Sequence, residues 1–336
     1  MMHEHIRSVI EGRNLSQEEM NSVFDQIMTG RATSAQIAGL VVALRMKGET
    51  VEEIAGAAAA MRRHAVFIDA GGLQVVDTCG TGGDHTDTFN ISTAAAFVVA
   101  GAGVPVAKHG NRAISSRCGS ADVLAELGVN IEAPPDVVEE CIAEVGIGFL
   151  YAPKLHPAMK NAGPARKELG VRTIFNMLGP LTNPAGAKGQ LIGVFAPELT
   201  ETFAHVLQRL GCRRAFVVHG GDGMDEITST ATTRVSELNA GEIRTYEFEP
   251  LRYISDLSEP EALRGGDPAL NAAILKQILS GARIPGRDIV CLNAAAAILT
   301  GDKAADFSQG MELARDSIDS GKALAVLENL VEHSNR

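Results

Sequence analysis

The sequence has little of what would place a protein outside the cell or in a membrane. Its five cysteines, at 79, 118, 141, 212 and 291, are scattered, include no Cys-x-x-Cys pair and are odd in number. That argues against a disulfide framework or structural zinc and for a reduced, intracellular chain. The first residues, Met-Met-His-Glu-His-Ile-Arg, bring charge early and lack an apolar core, so no secretory signal is expected. The longest apolar run, 91–107, is broken by Gly101, Gly103 and Pro105 and is too short to span a bilayer. Positive charge is also in deficit. Thirty Lys and Arg against 41 Asp and Glu give a net charge of -11, which argues against nucleic acid or an anionic membrane as main partner. A soluble cytoplasmic protein is the expectation. At 336 residues it has room for a large core and two domains.

Both standard phosphate fingerprints are missing too. No Gly-Lys-Ser/Thr closes a Walker loop, and His85 stands where a dinucleotide fingerprint needs glycine. What is present instead is Asp77-Thr-Cys-Gly-Thr-Gly-Gly-Asp-His-Thr-Asp-Thr-Phe-Asn-Ile-Ser-Thr93. A short strand expected over 73–76 runs into Gly80, Gly82 and Gly83, and an Ala/Val-rich helix follows. Glycines let successive N–H groups turn inward around an anion, and a helix starting next adds free N–H groups. Thr88, Asn90, Ser92 and Thr93 could reach phosphate oxygens or a metal. A tight structural turn would account for the glycines equally well; Asp84 inside the loop favours phosphate with a bridging Mg²⁺.

Residues 1–70 read as helical. Capping boxes at Ser16-x-x-Glu19, Thr33-x-x-Gln36 and Thr50-x-x-Glu53 each open an amphipathic stretch. From residue 73 short apolar runs alternate with helical segments, the mark of an α/β fold. Val104–Ala107 reads as a strand delivering Lys108-His-Gly-Asn-Arg112, where ligands bind in such sheets. Ser115, Ser116, Arg117, Gly119 and Ser120 continue this cationic loop, as a phosphate clamp or a solvated basic surface. A helix over 136–145 leads to a strand at 148–152. His156 and Arg166 taken alone are ordinary structural or surface residues, and the Pro/Gly-rich stretch to Pro184 reads as a rigid hinge wall. Strands at 190–195 and 215–219 precede Gly220-Gly-Asp-Gly-Met-Asp-Glu226. There, adjacent carboxylates suit either Mg²⁺ or a solvated hairpin. A ribbon turned at Asn239-Ala-Gly241 follows, then a helical tail from Pro268 that shows no chemistry.

With these motifs read in order, the chain resembles the anthranilate phosphoribosyltransferases. The match runs nearly end to end. It covers Lys47-Gly-Glu-Thr50, Gly80-Thr-Gly-Gly-Asp84, Asn90-Ile-Ser-Thr93, Lys108-His-Gly-Asn-Arg112, His156-Pro157, Phe175-Asn-Met-Leu-Gly-Pro-Leu-Thr-Asn-Pro184 and Gly220–Glu226. Cys79, His85 and Cys118 depart from the pattern and bear on local geometry alone.

The resemblance implies a small α-helical N-terminal domain (1–70, completed by about 166–188) that dimerises. The larger domain, 71–336, is α/β, with a central, mostly parallel sheet flanked by helices. It implies transfer of the 5-phosphoribosyl group from 5-phosphoribosyl 1-pyrophosphate (PRPP) to the amino group of anthranilate, with two Mg²⁺ ions per active site. Gly80, Gly82, Gly83, Asp84, Thr88, Asn90, Ser92, Thr93, Lys108 and Ser120 would bind PRPP. Gly80, Asn111, His156 and Arg166 would bind anthranilate, with His156 orienting it. Ser92, Asp225 and Glu226 would hold the metal. Two rivals remain: a pyrimidine nucleoside phosphorylase-like enzyme, for which Asp225 and Glu226 have no obvious use, and a non-catalytic paralogue that binds nucleic acid, against which the net charge speaks.

Overall fold

The computed structural model describes residues 2–84, 86–113 and 117–336; His85, Ser115 and Ser116 lie outside them. The chain opens with four helices: α1 (Met2–Ile10), α2 (Gln17–Met28), α3 (Ser34–Lys47) and α4 (Val51–Arg63). All three expected capping boxes form, each with the Ser or Thr hydroxyl accepting from the N–H three residues on and the Glu or Gln answering in return. The apolar stripe of α2 (Met20, Val23, Phe24, Ile27 and Met28) is buried as its 3.6-residue period requires.

A seven-stranded sheet follows, in the order β3-β2-β1-β4-β5-β6-β7. Strands β1 (Val76–Gly80), β2 (Val106–Gly110), β3 (Ile147–Tyr151), β4 (Gly189–Gly193) and β5 (Arg214–Gly220) are parallel. The ribbon β6 (Thr233–Asn239) and β7 (Glu242–Phe248) adds antiparallel, turned at Ala240 and Gly241, both with positive φ. Two strands begin later than the sequence suggests. Gly71 and Gly72 take left-handed turns that delay β1 to Val76, and Gly103 with Pro105 delays β2 to Val106. The helix expected over 136–145 divides into α7 (Pro135–Glu140) and a π-turn, Cys141–Val145.

The crossovers are helical: α5 (Ile91–Gly101) and α6 (Ser120–Glu126) precede α7, then come α8 (Ala152–Leu155), α9 (Gly163–Leu169), α10 (Phe175–Leu178) and α11 (Leu199–Arg209). The tail supplies α12 (Pro268–Leu279), α13 (Gly286–Thr300), α14 (Phe307–Asp319) and α15 (Lys322–Ser334). One face of the sheet is covered by α5, α13 and the tail helices in a single apolar core. On the other face the core of α1–α4 runs on without a break. It passes through Ala162, Ala165, Phe175 and Leu178 to Phe203 and Val206 of α11, and on to Ile192, Val194, Ala215 and Val217 of the sheet. Chain order reverses between β1 and β4, so a crevice is expected beyond their carboxyl ends. No helix among the described residues is long and apolar enough to cross a membrane.

Candidate active site

The crevice is there. A cavity of about 940 Å³ opens at the carboxyl ends of the strands. It is lined by the glycine loop after β1, the cationic loop after β2, the acidic pair after β5, and α9 with the segment behind it. Gly80, Gly82, Gly83, Asp84, Thr88, Asn90, Ser92, Thr93, Lys108, Asn111, Ser120, Arg166, Asp225 and Glu226 therefore meet on one wall system, from positions up to 146 residues apart (Gly80 to Glu226).

Gly82 and Gly83 have φ of +66° and +77°, a backbone that only glycine adopts cheaply. Gly83 also lies against Arg172, whose guanidinium donates to the Gly83 carbonyl and stacks 4.8 Å over the Phe195 ring. The Gly82 N–H donates to Asp225 Oδ2 at 2.8 Å, and the Ser92 N–H to Glu226 Oε1 at 3.1 Å. The glycine loop and the start of α5 thus grip the acidic pair through backbone donors. Burial pushes the Asp225 carboxyl up, and the nearby Asp84 charge pushes it further. Burial and then Asp225 do the same to Glu226, against the opposing pull of Lys108. Among the described residues no three His, Cys, Asp or Glu side chains form a ready-made metal cage. Crowded carboxylates open to a cavity, with backbone donors on one side, nevertheless fit a hard dication that keeps water and takes phosphate oxygens.

Lys108 is buried at the cavity floor, its Nζ 2.6 Å from the Thr78 carbonyl. Burial lowers its pKa, and Asp77 and Glu226 oppose that shift. Asp77 itself is tied down by the His109 N–H at 3.1 Å and Asn183 Nδ2 at 2.8 Å, which joins β1, β2 and the Pro/Gly-rich segment into one unit. In the cationic loop, Asp122 of α6 accepts from Ala113 N–H and Gly119 N–H, each at 2.9 Å, and pairs with Arg112. Ser120 Oγ rests 3.4 Å from the Asn111 carbonyl.

Arg166 lines the cavity with its guanidinium 5.3 Å from the Phe175 ring centroid; burial lowers its pKa, and no acceptor among the described residues bonds it. That is a cation waiting for an anion. His156 is placed differently from expectation. It is buried one layer back from the cavity wall, its ring 5.1 Å from that of His109, and His109 is the one that lines the cavity. The sequence signal for His109 was its place in Lys108–Arg112, at a strand end. Asn90, expected to face phosphate, spends its side-chain amide on Asn271 and the Cys118 carbonyl.

Both histidines are locked as neutral rings. His109 Nδ1 donates to the Gly179 carbonyl at 3.2 Å, His156 bonds the Thr182 carbonyl, and neither Nε2 has a partner among the described residues. Burial lowers His109 to about 3, with help from His156, and His156 to about 4. Depressed values mean that the unfolded chain binds protons that the native state refuses. The stability is complete above the unfolded value of about 6.5 and is lost as pH falls toward the folded values. From about pH 7 to about pH 5 each ring should cost about 2 kcal/mol. Denaturant titrations should show the wild type losing correspondingly more stability over this range than a His109→Asn/His156→Asn variant, which keeps a donor near Nδ1, since Asp225 and the other groups titrate alike in both. Equal pH slopes in the two proteins would refute it.

Comparison with known proteins agrees with this geometry. The model described as glycosyl transferase family, a/b domain, matches residues 71–324, and that described as glycosyl transferase family, helical bundle domain, matches residues 3–65. The chain belongs to this glycosyl transferase family. It is 56% identical over 335 residues to the anthranilate phosphoribosyltransferase of Syntrophobacter fumaroxidans, covering 100% of this chain and 99% of that one. The crystal structure of anthranilate phosphoribosyltransferase from Thermus thermophilus superposes with a TM-score of 0.94 at 44% identity, covering 99% of both chains. The Saccharomyces cerevisiae enzyme in complex with PRPP and Mg gives 0.89 at 28%, covering 99% and 98%. The same yeast enzyme in complex with 4-fluoroanthranilate gives 0.88 at 27%, with the same coverage.

Proposed function

We propose that the chain transfers the 5-phosphoribosyl group of PRPP to the amino group of anthranilate, releasing pyrophosphate, as a step of tryptophan biosynthesis. The observation that carries this is the meeting of a glycine loop, a half-buried acidic pair and an arginine with no acceptor among the described residues around one cavity. Loss of pyrophosphate from C1 builds positive charge on the sugar and negative charge on the leaving group. Lys108 and the loop donors not spent on Asp225 and Glu226 face the leaving side in this reading, and preorganised charge of this kind supplies most of the rate enhancement in many enzymes. Mg²⁺, when bound, neutralises the leaving phosphates. Asp225, Glu226 and Ser92 would hold it, with Asp84 close enough to serve a second ion.

Anthranilate's amine is neutral at physiological pH, so the chain needs no strong base; it must hold the amine over C1 and keep water out. Arg166 takes the carboxylate, Asn111 and Gly80 flank the ring, and the His109 ring forms part of the wall behind it, its Nε2 buried. His156 then acts through His109, fixing its ring. Purified protein given PRPP and Mg²⁺ should quench anthranilate fluorescence, read without indole background because the chain has no Trp. Arg166→Gln should raise KM for anthranilate by about tenfold or more, since a charged hydrogen bond is lost, with KM for PRPP unmoved. Absence of quenching by folded protein would refute the activity.

The same reading divides the chain into a helical part, residues 1–70 with about 166–188, and an α/β part, and makes it a cytoplasmic homodimer with no nucleic-acid partner. Exposed Ile10 on α1 and Met46 on α3, helices that pack on each other, support a self-association face. Sedimentation should give a dimer that Met46→Glu weakens; a monomer would count against it.

A further inference from the structure

Asn271 lies on α12, in the tail that shows no chemistry in sequence, and it is buried. Its Oδ1 accepts from the Gly266 N–H at 2.8 Å, and its Nδ2 donates to Asn90 Oδ1 at 2.9 Å. Asn90 Nδ2 donates in turn to the Cys118 carbonyl at 3.1 Å. Both ends of this relay are backbone groups with one possible role each, an N–H that donates and a C=O that accepts. The orientation of both amides is therefore fixed.

The relay joins three separate pieces of chain. Asn90 caps the glycine-loop arm at the start of α5, Cys118 belongs to the cationic loop, and Gly266 belongs to a strap that clasps the first arm. In the strap, the Leu263 carbonyl accepts from Phe89 N–H at 3.2 Å, Gly265 N–H donates to the Asp87 carbonyl at 2.8 Å, and Thr88 bridges to Arg264. A Cβ at Gly265 would come within 2.7 Å of both Asn271 Oδ1 and the Phe89 backbone, so strap and arm are in direct contact.

Holding α12 in place does not require an amide. Ala272, Leu275, Ile278 and Leu279 bury its apolar face, and Asp267 caps its start. Burying an amide is unfavourable unless its bonds are made, and here they are spent on the strap and on Asn90, which carries the link on to the cationic loop. We propose that Asn271 is a positioning residue for the phosphoribosyl donor: through Asn90 it sets the spacing of the two loops between which that donor binds. Asn271 does not line the cavity and acts through those loops alone. The proposal rests on the phosphoribosyl-transfer reading above.

The test compares wild type, Asn271→Ala, Asn271→Asp, Asn90→Ala and the Asn90→Ala/Asn271→Ala double variant, with kcat, both KM values and melting temperature for each. Asn271→Asp is nearly isosteric and keeps the acceptor for Gly266, but sets a carboxylate oxygen against Asn90 Oδ1. Both Asn271 variants should raise KM for PRPP by about tenfold, the effect of an unmade buried bond. KM for anthranilate at saturating PRPP should stay within about twofold of wild type. In the Asn90→Ala background the Asn271 change should add less than about twofold, because coupled residues are not additive. Melting shifts with an unchanged KM for PRPP would make Asn271 merely structural and overturn the proposal, as would full additivity with Asn90→Ala. A wild type that turns over no PRPP would fail at the functional reading itself, and the positioning role would go with it.

Discussion

Asp225→Asn/Glu226→Gln is expected to lower kcat/KM by about a thousandfold or more at saturating Mg²⁺, in the range of removing a main electrostatic stabiliser. The same variant should melt no lower than wild type in metal-free buffer, and somewhat higher. Both expectations come from one feature. Asp84, Asp225 and Glu226 crowd their charges on a half-buried cavity wall, and desolvation there with mutual repulsion raises the latter two carboxyls. Neutral amides of the same shape remove that repulsion and still accept from the Gly82 and Ser92 N–H groups, so the glycine loop keeps its anchors. A site strained without its ligand is the usual form of the stability–function trade-off. In the wild type, Mg²⁺ with pyrophosphate should raise the melting temperature by mass action, and in the variant it should not. A variant that stays active with metal would remove the acidic pair from catalysis. One that unfolds in metal-free buffer would show that the carboxylates stabilise the fold by themselves.

Much of this was legible in the sequence because local signals dictated it. Ser16, Thr33 and Thr50 mark their helix starts by short-range hydrogen bonding, and Gly241 marks the β6–β7 turn by its backbone freedom. The glycine loop, cationic loop and acidic pair were each visible as motifs, and α/β topology predicts that such strand-end loops converge. What was not legible depends on partners distant in sequence. His109 and His156 are separated by 47 residues (156 − 109), and no pattern says which ring faces the cavity and which stands behind it. Asn90 lines the cavity, as its place after the loop suggests, but nothing in the sequence ties its amide to Asn271, 181 residues later. Arg172 carries no signature either: it follows α9 and stacks on Phe195, just beyond the end of β4 and 23 residues on (195 − 172). The continuity of the helical core with α11 and the sheet could not be read from periodicity, which assigns an apolar face but not its neighbour.

Gly193→Ala should be the most damaging single methyl in the site, and Gly80→Ala its instructive counterpart. The two glycines face each other across β1 and β4 in register, and both abut Asp225. A Cβ at Gly193 would stand 1.5 Å from the Asp225 main-chain carbonyl oxygen. Backbone cannot turn aside as a side chain can, so β4 must leave its pairing or the acidic loop must move. Overpacking of this kind costs about 1–3 kcal/mol even where atoms can yield, and here they cannot. Gly193→Ala is therefore expected to lose activity and stability together. At Gly80 the added Cβ would meet Asp225 Oδ2 at 2.2 Å, and that carboxylate can rotate away. Gly80→Ala should fold with a smaller loss of melting temperature than Gly193→Ala, that of the Gly82 N–H bond alone, yet lose about a hundredfold in kcat/KM, because the displaced carboxylate is the one proposed to hold the metal. Melting curves and steady-state kinetics on the two variants, side by side, decide the matter. A Gly193→Ala protein that keeps wild-type stability and activity would mean that the acidic loop is not held against β4 and that its carboxylates reach the cavity from another position.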